Sequence, residues 1–292
     1  MRLGVLILPE FSWSEAQAVW QRAEALGFDH AWIYDHLTWR SFRDQAWFAA
    51  VPTLTAAAMV TQHIRLGTLV ASPNFRHPLP FAKELMTLDD ICNGRLTLGL
   101  GAGGSGWDAT MLNGEAWSRR ERTERFGEFV KLTDFLLRQP ETTYEGMYYT
   151  VYEARTYPGC VQRPRLPLAI AATGRRGMAL AAQYGQIWVT NGDRTSNEMM
   201  LAKAGAAVVR QQMAQLDDIC WQTGRDPATL DRLVLSGPRL DGGLASVAAF
   251  AETIGRYAEI GVTDFVVHWP RPNEPYAADV TTFEQIFADR ST

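Results

Sequence analysis

The sequence predicts an α/β protein, a closed (β/α)8 TIM barrel forming one domain over residues 1–292. Short apolar runs alternate with amphipathic segments along the chain, and the runs are apolar on both faces, as parallel strands covered by helices are. Eight such units follow in order with no linker or low-complexity segment between them, which fits a closed barrel better than an open sheet. A chain of 292 residues buries a large core without a second domain.

Leu3 to Leu8 reads as the first strand, cut off by Pro9 and Glu10, and its apolar part is too short for a secretion signal. Ser12 caps a helix running to Leu26, with Gly27 as its C′ residue. Ala31 to Tyr34 is the second strand, Pro52 to Thr61 a helix, Ile64 to Val70 the third strand and Leu79 to Ile91 the next helix. Arg95 to Leu100 is the fourth strand, and Ser118 to Leu137 has helical spacing. Between Glu141 and Pro164, Gly146, Tyr148, Tyr149, Tyr152 and two prolines predict a hairpin or irregular insertion, lying across the barrel mouth or in a subunit contact. Alternation resumes with strand Leu168 to Ala172, helix Arg175 to Tyr184, strand Gln186 to Thr190 and a helix around Asn197 to Thr223. Leu233 to Ser236, helix Leu244 to Ile260, Asp264 to His268 and a helix near Thr281 to Asp289 close the series.

Composition narrows the function. A hydrophobic share of 47%, a charged share of 21% and a net charge of −4 suit a globular enzyme and offer no basic face for nucleic acid. Nothing approaches the roughly 20 apolar residues of a membrane span. Cys92, Cys160 and Cys220 are far apart and odd in number, so a disulfide framework is not expected and a reducing cytoplasm is.

A barrel of this kind places its chemistry at the C-terminal ends of the strands. Those ends carry Asp35, His36 and Trp39 after the second strand, Ala71 to Asn74 after the third and Gly101 to Asp108 after the fourth. Thr173 to Arg176, then Thr190 and Asn191, and then Arg239, His268 and Trp269 follow the later ones. An imidazole exchanges protons near neutral pH, and a neighbouring acid either binds a ligand or raises its basicity, although successive strand residues point opposite ways. Gly101, Gly103, Gly104 and Gly106 permit close backbone approach to a ring or a phosphate, and also serve ordinary turns. Thr173-Gly174-Arg175-Arg176 opens a helix, where N–H groups and two cations meet an anion. Ser72-Pro73 is assigned a trans turn, with a cis peptide as the alternative. Trp39, Trp107, Trp188 and Trp269 at strand ends predict an aromatic-lined pocket for a planar ligand. His30, His36, His63, His77 and His268 lack metal-ligand spacing, and no nucleophile-elbow serine is in frame, so neither a metal site nor a serine hydrolase is expected.

Three stretches, AEALGFDHAWIYDHL, IRLGTLVASPNFRHPLPFAKELMTLDDICNGRLTLGLGAG and LAIAATGRRGMALAAQYGQIWVT, together resemble the luciferase-like monooxygenase superfamily, in particular its deazaflavin (coenzyme F420) branch. The resemblance implies that Asp35 and His36 lie against the cofactor ring, with ring-binding or proton-transfer roles and Trp39 nearby. It implies a non-prolyl cis peptide behind the ring at the end of the third strand, involving Ala71, Ser72 and Asn74. It assigns Ala102 and Gly103 to the polyol chain, Ala171, Ala172, Thr173, Gly174, Arg175 and Arg176 to the phosphate, and Thr190 and Asn191 to further cofactor contacts. Where some F420 dehydrogenases carry a glutamate after the glycine turn, Gly104 and Ser105 stand here, which argues against a sugar-phosphate dehydrogenase. The expected activity is hydride transfer between F420 and a small organic substrate, by C=C, C=N or C=O reduction or by alcohol oxidation, with His36 or Asp35 exchanging the proton. An FMNH2-dependent monooxygenase using O2 and a non-catalytic flavin-binding barrel are the alternatives, and relatives suggest a homodimer.

Overall fold

The computed structural model describes residues 1–112, 114–193, 199–237 and 239–288. In chain order the elements are β1 (Arg2–Ile7), α1 (Trp13–Ala25), β2 (His30–Ile33), α2 (Ala50–Val60), β3 (Arg65–Ala71), α3 (Pro78–Ile91), β4 (Leu96–Leu100), α4 (Asp108–Met111) and α5 (Arg119–Arg138). They continue with β5 (Glu141–Glu145), β6 (Thr150–Arg155), β7 (Leu168–Ala171), α6 (Arg175–Tyr184), β8 (Ile187–Thr190), α7 (Ala202–Gln222), β9 (Asp231–Leu235), α8 (Val247–Glu259), β10 (Asp264–His268) and α9 (Val280–Ala288). Eight parallel strands close a barrel in the order β1, β10, β9, β8, β7, β4, β3, β2. The expected strands are therefore the barrel staves, each within two residues of its predicted bounds.

Period-two pleating divides the strand residues. Leu6, Trp32, Leu69, Val189, Leu233 and Val266 pack inside the barrel, while Val5, Ile33, Leu66, Leu98 and Ile170 pack outward against the helices. Local signals set the element ends. Glu15 accepts hydrogen bonds from both the N–H and the hydroxyl of Ser12, and Gly27 sits at φ +74° as the residue that stops α1.

Some expectations needed correction. The insertion is an antiparallel hairpin, β5 with β6, but it lies along the flank of α5: Glu128 accepts from the N–H groups of Tyr148 and Tyr149. None of its residues lines the cavity at the barrel mouth. The short α4 was not anticipated, because four residues are too few for periodicity to show. The predicted starts and ends at Asn197 and Asp289 lie outside the described residues. Among the described residues no helix is long and apolar enough to cross a membrane, and the three cysteines are buried and unpaired.

The closing seam between β1 and β10 is polar at the barrel floor. Asp264 accepts from Arg2 at 2.7 Å and lies 3.0 Å from His30 Nε2, and Trp32 Nε1 donates to His30 Nδ1 at 2.6 Å. Burial by itself would raise the Asp264 carboxyl, but the hydrogen bonds from His30 and Arg2 outweigh it and hold that carboxyl far below the usual carboxylate range. A carboxyl depressed in the folded state contributes stability above its unfolded pKa and loses it as pH falls. Asp264→Asn is expected to cost about 3 kcal/mol at pH 7 in urea unfolding, and the gap to wild type should narrow below about pH 4. A gap independent of pH would contradict this role for the seam.

Candidate active site

Where β2 leaves the barrel the pleat continues: Tyr34 and His36 line a cavity of about 280 Å3, whereas Asp35 does not. Asp35 points outward and is buried in a two-pronged ion pair, accepting from Arg76 Nη2 at 2.8 Å and Nε at 3.1 Å. Arg76 in turn reaches Glu84 of α3 at 3.1 Å. The expected acid–imidazole pair is thus split, with His36 at the cavity and Asp35 anchoring the β3–α3 loop.

The partner of His36 is Asp108, the first residue of α4. Its Oδ2 accepts from His36 Nδ1, while Oδ1 accepts from the N–H groups of Leu37 at 2.8 Å and Thr38 at 3.3 Å. Trp47 Nε1 donates to the His36 carbonyl at 2.9 Å. With Nδ1 committed, Nε2 is the nitrogen left to exchange a proton.

At the end of β3 the register shifts between Thr68 and Ala71, the Leu69–Val70 peptide is cis, and both Leu69 and Val70 line the cavity. The cis bond is non-prolyl, as the resemblance implied, but it precedes Ala71; Ser72–Pro73 is trans, as assigned from the sequence. Ala71 is buried outside the cavity. Opposite, a Cβ on Gly101 would come within 2.5 Å of Val70 Cγ2, and one on Gly103 within 2.5 Å of Asn74 Oδ1. Gly103 also has φ +72°. Asn74 donates to the Gly104 carbonyl at 3.3 Å, yet its buried Oδ1 has no partner in the chain.

The cavity continues past Ala102, Gly103, Ala171, Ala172 and Thr173 into a basin of about 900 Å3. Gly174 caps α6 without a side-chain hydrogen bond, and the first turn of α6 carries no acid. Arg175 and Arg176 of α6 meet Arg119, Arg120 and Arg122 of α5 around this basin. An open helix N-terminus with arginines on two sides has the donors that bind an anion, and Asp193 also lines the basin. Asn191 and Ser72 line the inner cavity, but Thr190 is buried and donates to Gln212 at 2.6 Å, taking no part in the wall.

The aromatic lining also differs from expectation. Of the four strand-end tryptophans only Trp39 lines the cavity; Trp107 is exposed, Trp188 is fully buried with Nε1 on the Ala172 carbonyl, and Trp269 packs on Phe283. Trp39 stacks with Trp47 at 5.7 Å and Tyr276 at 6.1 Å. Tyr34 Oη lies 2.9 Å from His268 Nε2 and 3.3 Å from Tyr276 Oη. Burial lowers the His268 pKa to about 3, so that ring is neutral, and burial raises both phenols, so they stay protonated.

The sequence pattern of the luciferase-like monooxygenase family matches residues 1–238. The chain belongs to that family. Among similar proteins, the F420-dependent glucose-6-phosphate dehydrogenase of Beutenbergia cavernae is 35% identical over 205 residues, 67% of this chain and 59% of that protein. The F420-dependent hydroxymycolic acid dehydrogenase of Mycobacterium tuberculosis is 30% identical over 279 residues, 92% of this chain and 69% of that one. Several curated relatives are matched over only 59–60% of their own length. A solved F420-dependent secondary alcohol dehydrogenase in complex with an F420–acetone adduct shares the fold, with a TM-score of 0.80 and 19% identity over 99% of this chain and 98% of that one.

In this luciferase-like barrel, sequence reasoning missed Tyr34, reached Arg40 and Tyr276 only as parts of the stretches Trp39 to Trp47 and beyond the eighth strand expected to touch substrate, and named Asp108 only as the end of the glycine turn. Period-two extension of β2 through Tyr34 and His36 was the available signal for the first. Gly103→Ala combines a positive φ with a blocked Cβ, so it is expected to cost about 2–3 kcal/mol in urea unfolding; an unchanged midpoint would contradict the close Gly103–Asn74 approach.

Proposed function

We propose that this chain is an F420-dependent oxidoreductase moving a hydride between the deazaflavin C5 and a small organic substrate, by C=C, C=N or C=O reduction or, in reverse, alcohol oxidation. The observation that carries this reading is His36 on the cavity wall with Nδ1 fixed by Asp108. The F420-dependent relatives support the cofactor. The residues fit it: a narrow cavity for a ring, a Cβ-free strip beside the orphaned Asn74 acceptor, and an uncapped helix end among arginines for a phosphate. When bound, F420 supplies two-electron hydride chemistry.

The chain's own residues supply the rest. His36 Nε2 gives a proton to the substrate atom that becomes electron-rich, or removes one from an alcohol. Asp108 holds the imidazole in one tautomer and orientation. Leu69, Val70, Tyr34 and Trp39 shape the ring end and keep water from it. Gly103 and Asn74 would hold the polyol, and Thr173, Gly174, Arg175 and Arg176 the phosphate. Asp35 acts through Arg76 as a positioning residue. The reading includes a homodimer in the cytoplasm, which sedimentation would support by returning the mass of two chains.

FMN has the same ring and phosphate ends, so the deciding experiment titrates F420 and FMN side by side and follows F420 absorbance with a panel of secondary alcohols and enones. F420 should bind more tightly and be turned over, and His36→Asn should lower turnover by about a hundredfold or more while leaving F420 binding within a few-fold. Preferential FMN binding with oxygen consumption would replace this reading with the monooxygenase one. Unchanged turnover in His36→Asn would remove His36 from the chemistry.

A further inference from the structure

The strand order sets β4 and β7, with the glycine strip and the arginine basin, across the barrel from β10 and β1. On the β10 side the cavity wall includes two phenols, Tyr34 from the continuation of β2 and Tyr276 from the loop after β10. His268, the last residue of β10, is buried behind them and does not line the cavity.

These three side chains form one hydrogen-bonded series whose direction is fixed from its buried end. His268 Nε2 lies 2.9 Å from Tyr34 Oη. The opposite edge of the ring faces the Ser236–Gly237 segment, where a Cβ on Gly237 would come 3.4 Å from Nδ1. The Ser236 N–H already donates to the Val266 carbonyl at 2.9 Å, so the backbone group that Ser236 offers the ring is its own carbonyl. Burial keeps the imidazole neutral, and a neutral imidazole has one N–H. That proton is therefore on Nδ1, and Nε2 is an acceptor. Tyr34 donates its hydroxyl to Nε2 and is left with lone pairs alone. Tyr276 Oη, 3.3 Å from Tyr34 Oη, then donates to it and is left with lone pairs in its turn. The Tyr276 ring is held for this: it stacks on His268 with centroids 3.4 Å apart, and Arg271 Nη1 donates to the Asn273 and Pro275 carbonyls of its loop. Exposed Glu274 accepts from the Tyr276 N–H at 3.1 Å, a backbone contact that leaves the phenol to Tyr34. Arg40, Arg239 and Arg271 pull the Tyr276 hydroxyl down by less than burial raises it, so it keeps its proton.

We infer that Tyr276 is a specificity-determining residue whose oxygen accepts a hydrogen bond from a hydroxyl or N–H group on the substrate, because His268 and Tyr34 draw its own proton away from the cavity. A carbonyl or ether oxygen at this point would meet lone pairs and leave two acceptors facing each other, whereas a donor completes the series. His36 Nε2 is a second acceptor on the same wall. The preferred substrate is thus one with two donors, the reacting hydroxyl toward His36 and a further hydroxyl or amine toward Tyr276. His268 acts through the two phenols as a positioning residue. The inference rests on the oxidoreductase reading for the role of His36 and deepens it by naming a substrate class.

The test reads binding, so it does not depend on turnover. Phenol and aniline, which carry donor hydrogens, are titrated calorimetrically into the F420-loaded chain beside anisole and N,N-dimethylaniline, in which methyl groups replace those hydrogens. The donor-bearing probes are expected to bind about fivefold or more tightly, and Tyr276→Phe should remove most of that preference. His268→Phe takes away the acceptor that orients the series, so the phenol protons can turn to the cavity and anisole should gain on phenol. Nitrogen-15 NMR reads the same point in the unaltered protein, where His268 should be protonated on Nδ1 and bare on Nε2 at neutral pH. Absence of a donor preference, its survival in Tyr276→Phe, an unchanged probe ratio in folded His268→Phe, or a His268 protonated on Nε2 would each overturn the inference. Should His268→Phe fail to fold in thermal melts, the Tyr276→Phe titrations and the NMR still decide it. Failure of F420 to bind would defeat the cofactor reading alone, since the same probes titrated into the free chain still read Tyr276.

Discussion

Asp108 accepts hydrogen bonds from three donors on the turn that leaves β2: His36 Nδ1 and the backbone N–H groups of Leu37 and Thr38. One buried carboxylate thereby fixes the direction of the chain, the rotamer of the imidazole and the nitrogen that carries its proton. The glycine turn after β4 delivers that carboxylate, since Asp108 begins α4 directly beyond it. The ends of β2 and β4, separated by β3 in the barrel, are joined across the mouth by this contact. Trp47 holds the His36 carbonyl, and Tyr34, Trp39 and Trp47 pack around its ring, but among the described residues only Asp108 bonds its imidazole.

The rest of the site is arranged around that fixed point. Leu69 and Val70 fill one wall because the β3 register shifts there, and Gly101 is opposite because Val70 occupies the space a Cβ would take. Gly103 continues the strip beside Asn74, and the passage ends at α6, where five arginines surround an uncapped helix end. The cavity therefore runs from an aromatic end near Trp39 and Tyr276 to an arginine-rich basin. The Arg2–Asp264–His30 cluster lies at the other end of the barrel.

Much of this was legible in the sequence. Strand apolarity and glycine punctuation located all eight staves, because parallel strands covered by helices have no polar face to blur the signal. His36, Gly103 and Thr173 to Arg176 were readable as strand-end residues. Asp35 was assigned to the ring by the resemblance, whereas in the structure it lies on the opposite face of the pleat from His36, paired with Arg76. Asp108 and Tyr276 were obscure for another reason. They reach the site through contacts 72 and 242 residues apart in the chain, and no local pattern encodes such a pairing. Trp188 and Trp269 show the converse, strand-end aromatics that belong to the outer core.

The account turns on which His36 nitrogen holds the proton when the ring is neutral. Nitrogen-15 NMR of histidine-labelled protein at alkaline pH reads this directly. The structure requires the proton on Nδ1, bonded to Asp108, with Nε2 bare toward the cavity, and Asp108→Ala should redistribute it between the two nitrogens. A wild-type His36 protonated on Nε2, or a tautomer indifferent to Asp108→Ala, would contradict the central claim.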